Sequence, residues 1–178
     1  GNGPWPALLM RQPYGREIAS TITYSHPEWW ATKGYMVIIQ DVRGMGSSEG
    51  VFKGFSQEAS DTSETHEWVR SLKECNGKLG LYGFSYQGFT QLTGDLNSKP
   101  PDCLSPAMTG MNIKDHWCSD GGAYWWHNNI AWGLQIAALK MKRENNLLEW
   151  EKIRLALENK SYLREGIEIL KKYDPNSF

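Results

Sequence analysis

Residues 78–88 read K-L-G-L-Y-G-F-S-Y-Q-G, and they predict a strand that passes through a very short turn directly into a helix. The run from Lys78 to Tyr82 is apolar without the alternation of a half-exposed strand, which is typical of strands covered on both faces of a parallel sheet. A serine at such a turn is held in strained backbone geometry with its hydroxyl above the sheet. We therefore expect Ser85 at the carboxyl end of a central strand, with Gly83 needed because a side chain there would collide with a neighbouring element.

Further strands are predicted on both sides of this segment. Apolar runs at 7–10 and 35–40 end in turn residues, and a weaker run covers 103–108. Between them, Ser56 is a plausible N-cap of a helix that ends at Asn76-Gly77. This alternation of strands and helices predicts an α/β fold with a mainly parallel sheet.

The character of the chain changes after about residue 112. Residues 113–178 combine a tryptophan cluster with charge-rich stretches in which apolar residues keep helical spacing. We read residues 1–112 as one α/β unit and residues 113–178 as an all-helical segment attached to it. The helix that begins after Ser85 is expected to run to Leu96.

Composition narrows the possible functions. The 178 residues carry a formal net charge of -1, which supplies no basic field for nucleic acid. The three cysteines are odd in number and lack C-x-x-C spacing, which argues against a disulfide framework and a structural zinc. No apolar run is long enough to span a membrane. We expect no cofactor, no metal, no nucleic acid and no membrane partner, and a cytoplasmic location, although the first residue is not a start methionine. The oligomeric state is left open.

The tryptophans are unusually numerous, at nine. Trp117, Trp125 and Trp126 lie close together in the sequence, and two interpretations remain open. They could pack a helical core, or they could form the wall of a pocket for an apolar ligand, as candidate substrate-binding residues.

A bare G-x-S is a weak signal, because a serine behind a glycine can simply cap a helix. Here it stands in a wider pattern. G-F-S-Y-Q-G at 83–88 follows I-I-Q-D-V-R-G at 38–44, S-E-G at 48–50 and R-Q-P-Y-G at 11–15. In this order and spacing, the motifs resemble those of the family that holds cocaine esterase, the X-Pro dipeptidyl-peptidases and the α-amino acid ester hydrolases. The resemblance covers residues 5–127. In this family the elbow motif is G-x-S-Y-x-G, which Gln87 and Gly88 match, although they do not match the common motif G-x-S-x-G.

The resemblance implies roles for particular residues. Ser85 would be the acylated nucleophile, with the backbone N–H of Tyr86 and the phenol of Tyr14 as oxyanion donors. A neutral phenol can stabilise developing negative charge without itself titrating. The implied substrate is a small ester or peptide. Arg43 could be read as a catalytic electrophile, but we interpret it as structural and expect it to pair with a carboxylate such as Asp41 or Glu49.

A serine hydroxyl needs a base and a third group that orients the base. Asp115 and His116 are adjacent, so their side chains should diverge, and His127 suits a pocket wall better than a base. We therefore expect an incomplete α/β-hydrolase sheet with the beginning of a helical cap, inactive by itself, from a hydrolase whose acid and histidine lie outside this sequence. The alternative is a non-catalytic binding or scaffold domain that keeps the hydrolase fold.

Overall fold

The computed structural model describes residues 2–18 and 24–173 and divides the chain into two compact units. The first comprises residues 1–109 and the second residues 110–178. Each unit is described by itself.

The first unit is built on a four-stranded sheet. Every neighbouring pair is parallel, in the order β2-β1-β3-β4. The parallel sheet predicted from the apolar runs is therefore confirmed, although β1 and β3 are longer than the runs that predicted them. The strands are β1 (Trp5–Gln12), β2 (Met36–Asp41), β3 (Cys75–Phe84) and β4 (Cys103–Ala107).

One face of the sheet is covered by helix α2 (Glu58–Ser71); the short helix α1 (Pro27–Ala31) precedes β2. The buried cluster on this face joins alternate residues of β1 and β3 to Val69 of α2, which is fully buried. Alternate residues of a strand share a face, so this packing fixes which strand positions meet the helix. The members from the strands are Ala7, Leu9, Leu79 and Leu81.

The predicted ends of α2 were wrong on both sides. Ser56 lies in a 3-10 turn (Gly54–Gln57), where its hydroxyl donates to the carbonyl of Lys53 at 2.9 Å instead of capping the helix. At the other end the backbone becomes extended at Leu72, and β3 already begins at Cys75, next to Trp5 of β1. Asn76 and Gly77, which the sequence placed at the end of the helix, therefore lie within β3, where its register with β1 shifts between Trp5 and Ala7.

The helix after Ser85 was also predicted too long. Helix α3 (Tyr86–Phe89) is a single turn, and Leu96 is fully exposed. The side chain of Gln91 explains the early end, because its amide donates to the carbonyl of Gln87 at 3.0 Å and accepts from the backbone N–H of Ser105 at 3.0 Å. A side chain that takes a helix carbonyl in this way competes with the next backbone hydrogen bond.

The second unit is mainly helical. Its helices are α4 (Trp126–Arg143), α5 (Leu147–Glu158), α6 (Tyr162–Glu165) and α7 (Ile167–Lys171), which enclose one buried cluster around Leu134 and Ile153. The expectation of an all-helical segment was wrong in one place. Strands β5 (Ser119–Asp120) and β6 (Ala123–Tyr124) form a small antiparallel hairpin. Gly121 and Gly122 both have positive φ, which a two-residue hairpin turn favours and a helix does not.

Among the described residues, no helix combines the length and the apolarity that a membrane crossing requires.

Candidate active site

Ser85 has an unusual backbone conformation for a residue with a side chain. Its φ is 60° and its ψ is -121°, at the junction of β3 and α3. Its N–H donates to the carbonyl of Ala107 at 2.9 Å, and its own carbonyl accepts from the N–H of Gly88 at 2.9 Å. Strained conformations of this kind persist only where surrounding contacts enforce them, and they concentrate at functional sites.

The side chain of Ser85 is not used for structure. Ser85 occupies the N-cap position of α3, yet its side chain makes no capping hydrogen bond and none to any other described residue. The residue is half-buried, so the hydroxyl is not sealed in the core. The capping interpretation of the G-x-S motif therefore does not explain why a serine stands here.

Two glycines let the turn close. A Cβ at Gly83, whose φ is 149°, would overlap the Cβ of Gln87 in α3, which is the collision expected from the sequence. A Cβ at Gly88 would lie 3.0 Å from the carbonyl oxygen of Ala107 and 3.0 Å from the Cγ2 of Thr109. Gln87 and Gly88 therefore fit this elbow as they stand, with the second glycine one position later than in the common motif.

The residue after the serine is anchored by its side chain. Tyr86 is fully buried, and its phenol donates to Oε1 of Glu58 at 2.8 Å and to the carbonyl of Gly54 at 3.2 Å. The ring stacks on Phe55 with centroids 5.0 Å apart. Burial, and then the neighbouring carboxylate of Glu58, raise the pKa of the Tyr86 phenol, so it stays a neutral donor.

Glu58 also faces a buried cation. Its Oε2 lies 3.1 Å from Nη1 of Arg11, and both side chains are almost completely buried. Arg11 donates as well to Gln40 Oε1 at 2.6 Å and to the hydroxyl of Thr62. Burial raises the pKa of Glu58 and lowers that of Arg11, and in each case the opposite charge of the partner counters the shift.

Tyr14 lies in the loop after β1 and is half-buried. Its phenol is close enough to Tyr86 to contribute, after burial and Glu58, to the raised pKa of the Tyr86 phenol. The phenols of Tyr14 and Tyr86 are thus near enough to interact electrostatically, and the sequence singled out both residues together with Ser85. Their catalytic roles stay predictions.

Sequence reasoning missed Glu58, whose partners are distant in the chain. A signal was present, however. Glu58, Thr62 and Thr65 recur at helical spacing on the same helix as the buried Val69, and all three polar residues are buried. Buried polar side chains need partners, so this polar stripe could have indicated a network under the elbow. Arg11 was quoted as part of R-Q-P-Y-G without a role.

The predicted partner of Arg43 was wrong. Arg43 forms a bidentate ion pair with Asp61 of α2, with Nε donating to Oδ2 at 3.0 Å and Nη2 donating to Oδ1. Asp41 instead accepts from the backbone N–H of Ser47 at 2.9 Å, and Glu49 lines the same surface cavity as Arg43. The planar guanidinium matches a carboxylate on a facing helix, which spacing along the chain could not reveal. The pairing supports the structural interpretation of Arg43.

The tryptophans named as substrate-binding candidates all lie in the second unit. Trp126 donates from Nε1 to the carbonyl of Leu163 at 3.3 Å, and its ring is so close to Gly166 that a Cβ there would approach it to 2.8 Å. Trp125 and Trp126 are about half exposed, at 49% and 48%, and Trp117 is partly buried in the turn at 113–118. Packing explains part of the position of Trp126, and a role in substrate binding stays a prediction for all three.

The two downstream histidines have different surroundings. His127 is hydrogen-bonded through Nδ1 to the buried phenol of Tyr162, and the two rings stack at 5.8 Å. His116 is exposed, and the neighbouring Asp115 accepts from the side-chain amide of Asn112 at 2.8 Å. Asp115 is thus engaged by an asparagine of its own turn, as expected if it does not orient His116.

Over residues 2–18 and 24–173, no group of three or more histidine, cysteine or acidic side chains is arranged to hold a metal ion.

Comparison with known proteins identifies relatives along most of the chain. The family model described as X-Pro dipeptidyl-peptidase (S15 family) matches residues 1–178. Cocaine esterase of Rhodococcus sp. (strain MB1 Bresler) is 30% identical over 139 residues, which are 76% of this chain and 24% of the esterase. The chain thus spans less than a third of the length of this relative.

Two solved structures are also similar. A CocE/NonD family hydrolase from Staphylococcus aureus superposes with a TM-score of 0.70 at 22% identity, over 80% of this chain and 29% of the other. An α-amino acid ester hydrolase superposes with a TM-score of 0.50 at 26% identity, over 72% of this chain and 25% of the other. These likenesses, with the parallel sheet, establish the α/β-hydrolase fold predicted from the motifs.

Proposed function

Because the chain belongs to the X-Pro dipeptidyl-peptidase family (S15), we propose that the protein carrying it is a serine hydrolase of esters or amides that forms an acyl-enzyme on Ser85. The observation that carries this proposal is the conformation of Ser85. The residue holds a positive φ of 60° at a strand-to-helix turn, and its hydroxyl serves no described structural contact. That arrangement costs stability and makes sense where the hydroxyl is needed for chemistry.

The reaction proceeds in two steps. Ser85 Oγ bonds to the acyl carbon while its proton passes to a base, and the electron pair of the carbonyl moves onto its oxygen. The resulting oxyanion accepts hydrogen bonds from the Tyr86 amide and the Tyr14 phenol. When the oxyanion collapses, the bond to the alcohol or amine breaks and the leaving group takes the proton. Water then hydrolyses the ester on Ser85 by the same route.

The base and its carboxylate partner are not assigned to any residue of this chain. We propose that they lie outside it, because the chain spans 24% of cocaine esterase. The substrate is proposed to be a small molecule with an apolar or α-amino acyl group. The activities of two relatives support this proposal: one is an esterase of cocaine and the other is a hydrolase of α-amino acid esters. Trp117, Trp125 and Trp126 are proposed as substrate-binding residues, and the proposed location is the cytoplasm.

The test uses the complete gene product that contains residues 1–178. Its turnover of p-nitrophenyl acetate and of an X-Pro p-nitroanilide is compared with that of Ser85→Ala and of the control Ser60→Ala, at an exposed position of α2. We expect Ser85→Ala to lose nearly all turnover and all labelling by a fluorophosphonate, and Ser60→Ala to keep both. An unmodified protein that turns over neither substrate and takes no label would instead support the binding or scaffold domain. Full activity in Ser85→Ala would remove Ser85 from the mechanism.

A further inference from the structure

A chain of buried side-chain amides joins the loop that carries Tyr14 to the elbow that carries Ser85. Gln12, the last residue of β1, is 1% exposed, and Gln87 of α3 is 5% exposed. Gln87 Nε2 donates to Gln12 Oε1 at 2.9 Å, and Gln12 Nε2 donates to the carbonyl of Gly15 at 3.0 Å. The two residues are 75 positions apart in the sequence, so the bridge exists only in the folded unit.

The direction of every hydrogen bond in this bridge is fixed. The backbone N–H of Phe84 donates to Gln87 Oε1 at 3.1 Å, so that oxygen cannot be exchanged with the side-chain nitrogen. The nitrogen must then face Gln12, whose own oxygen accepts and whose nitrogen turns to Gly15. An amide flip at either glutamine would oppose two donors or two acceptors. The bridge therefore holds one arrangement of the loop relative to the elbow.

We propose that Gln12 and Gln87 are positioning residues that set the phenol of Tyr14 relative to the backbone N–H of Tyr86, so that both donate to one oxyanion. This inference rests on the proposed function. It also gives a reason for Gln87, which stands where the common elbow motif has glycine, because a glycine there would have no side chain to reach Gln12.

The physical basis is the sensitivity of an oxyanion donor to its position. A donor stabilises the transition state only when it is aimed at the place where charge develops, and a displacement of about 1 Å is costly in rate. Tyr14 lies on a loop after the strand, between Gln12 and the bridge's anchor at Gly15. The hydrogen bonds of the Gln12 side chain to Gly15 and to Gln87 thus restrain the backbone on both sides of Tyr14.

The test is a set of double-variant cycles in the complete gene product, measured as kcat and KM on an ester that Ser85 turns over. Gln12→Met and Gln87→Met keep side-chain length and remove the amides. Gln91→Met is the matched control, because Gln91 is also a buried glutamine at 5% exposure but bonds Ser105 and the elbow carbonyls instead of the Tyr14 loop. Each is made in the natural background and in Tyr14→Phe.

We expect Tyr14→Phe alone to lower kcat by about 10²-fold to 10³-fold, as the loss of one oxyanion donor does. Gln12→Met and Gln87→Met should each lower kcat by about 10-fold with KM nearly unchanged, since the bonds to the oxyanion tighten only in the transition state. In the Tyr14→Phe background both glutamine effects should fall below about twofold. Whatever Gln91→Met costs, it should cost the same in both backgrounds.

The inference would be overturned if Gln12→Met and Gln87→Met lowered kcat by the same factor with and without the Tyr14 hydroxyl. A purely structural role of the two glutamines would not depend on that hydroxyl. If Gln12→Met fails to fold, Gln87→Glu replaces it, since it keeps an acceptor for Phe84 and places a carboxylate oxygen opposite the Gln12 oxygen in place of the donor. Full activity of Ser85→Ala would overturn the proposed function itself. If Ser85→Ala is inactive and the glutamine substitutions are additive with Tyr14→Phe, only the proposed positioning role of Gln12 and Gln87 is overturned.

Discussion

The phenol of Tyr86 donates to the carboxylate of Glu58 at 2.8 Å, in a part of the first unit where both residues are fully buried. The other oxygen of that carboxylate lies 3.1 Å from Arg11. The residue that follows the candidate nucleophile is thus linked through one carboxylate to the strand that leads to Tyr14. The elbow rests on a buried ionic network as well as on apolar packing.

The first prediction concerns the charge of Glu58. Glu58→Gln keeps the shape of the side chain but leaves the Arg11 guanidinium buried without its nearest counter-charge, which should lower the free energy of unfolding by roughly 3–5 kcal/mol. Urea unfolding followed by tryptophan fluorescence measures the change. Glu67→Gln, at an exposed position of the same helix, is the control and should change stability by less than about 0.5 kcal/mol. Equal, small effects in the two variants would show that the network contributes little.

The sheet could be predicted from sequence and this network could not. Runs such as residues 35–39 are continuously apolar, and that pattern depends only on neighbours in the chain. The partners of Glu58, in contrast, come from β1 and α3, which the sequence does not align with α2 until the sheet order is known. Local patterns therefore locate elements, while long-range ionic contacts need the packed structure.

The second prediction concerns the ion pair of Arg43. A double-mutant cycle of Arg43→Met and Asp61→Asn should show a coupling energy of about 1 kcal/mol, because the pair is bidentate but the guanidinium is half exposed. The same cycle with Asp41→Asn in place of Asp61→Asn should show coupling near zero, since Asp41 is bonded to Ser47. Unfolding free energies in low salt provide the measurement. A larger coupling to Asp41 than to Asp61 would restore the partner that the sequence suggested.

The third prediction concerns acid stability. His66 of α2 is 3% exposed, and its Nε2 has no hydrogen-bond partner among the described residues. Burial, and then the positive charges of Arg70 and Arg11, lower the pKa of His66 from 6.5 to about 4. Between these two pH values His66 is protonated in the unfolded chain and neutral in the folded chain. Stability therefore falls as the pH drops from 6.5 to 4, by roughly 3 kcal/mol from this group.

The measurement is the slope of unfolding free energy against pH. His66→Met should flatten the slope between pH 6.5 and pH 4, while His116→Gln, at an exposed position, should leave it unchanged. Carboxylates contribute to the slope in all three proteins, so only the difference between variants counts. Identical slopes in His66→Met and the unchanged protein would mean that His66 is protonated equally well in both states.

Element ends were the least predictable part of the fold, and the short α3 shows why. Helical spacing extended the prediction to Leu96, but Gln91 turns its side chain back onto the carbonyl of Gln87 and onto β4. The elbow itself was predictable, because Gly83 and Ser85 carry a local backbone requirement that is visible in the motif. What the motif could not show is that Gln87, two residues after Ser85, forms a hydrogen bond with Gln12 of β1.

The last prediction concerns the strain at Ser85. With φ of 60° and ψ of -121°, the residue occupies a region that glycine tolerates and other residues do not. Ser85→Gly should therefore be more stable than Ser85→Ala by about 1–2 kcal/mol, since the alanine keeps the Cβ and hence the strain. Ser60 is the matched control, because it is exposed and has ordinary helical backbone in α2. The stability difference between its glycine and alanine variants should have the opposite sign. There glycine should be less stable than alanine by about 1 kcal/mol. Thermal unfolding of the four variants tests the reversal without any need for activity. If glycine were the less stable replacement at both positions, the conformation of Ser85 would carry no strain, and the argument that the fold tolerates it for the sake of the hydroxyl would lose its basis.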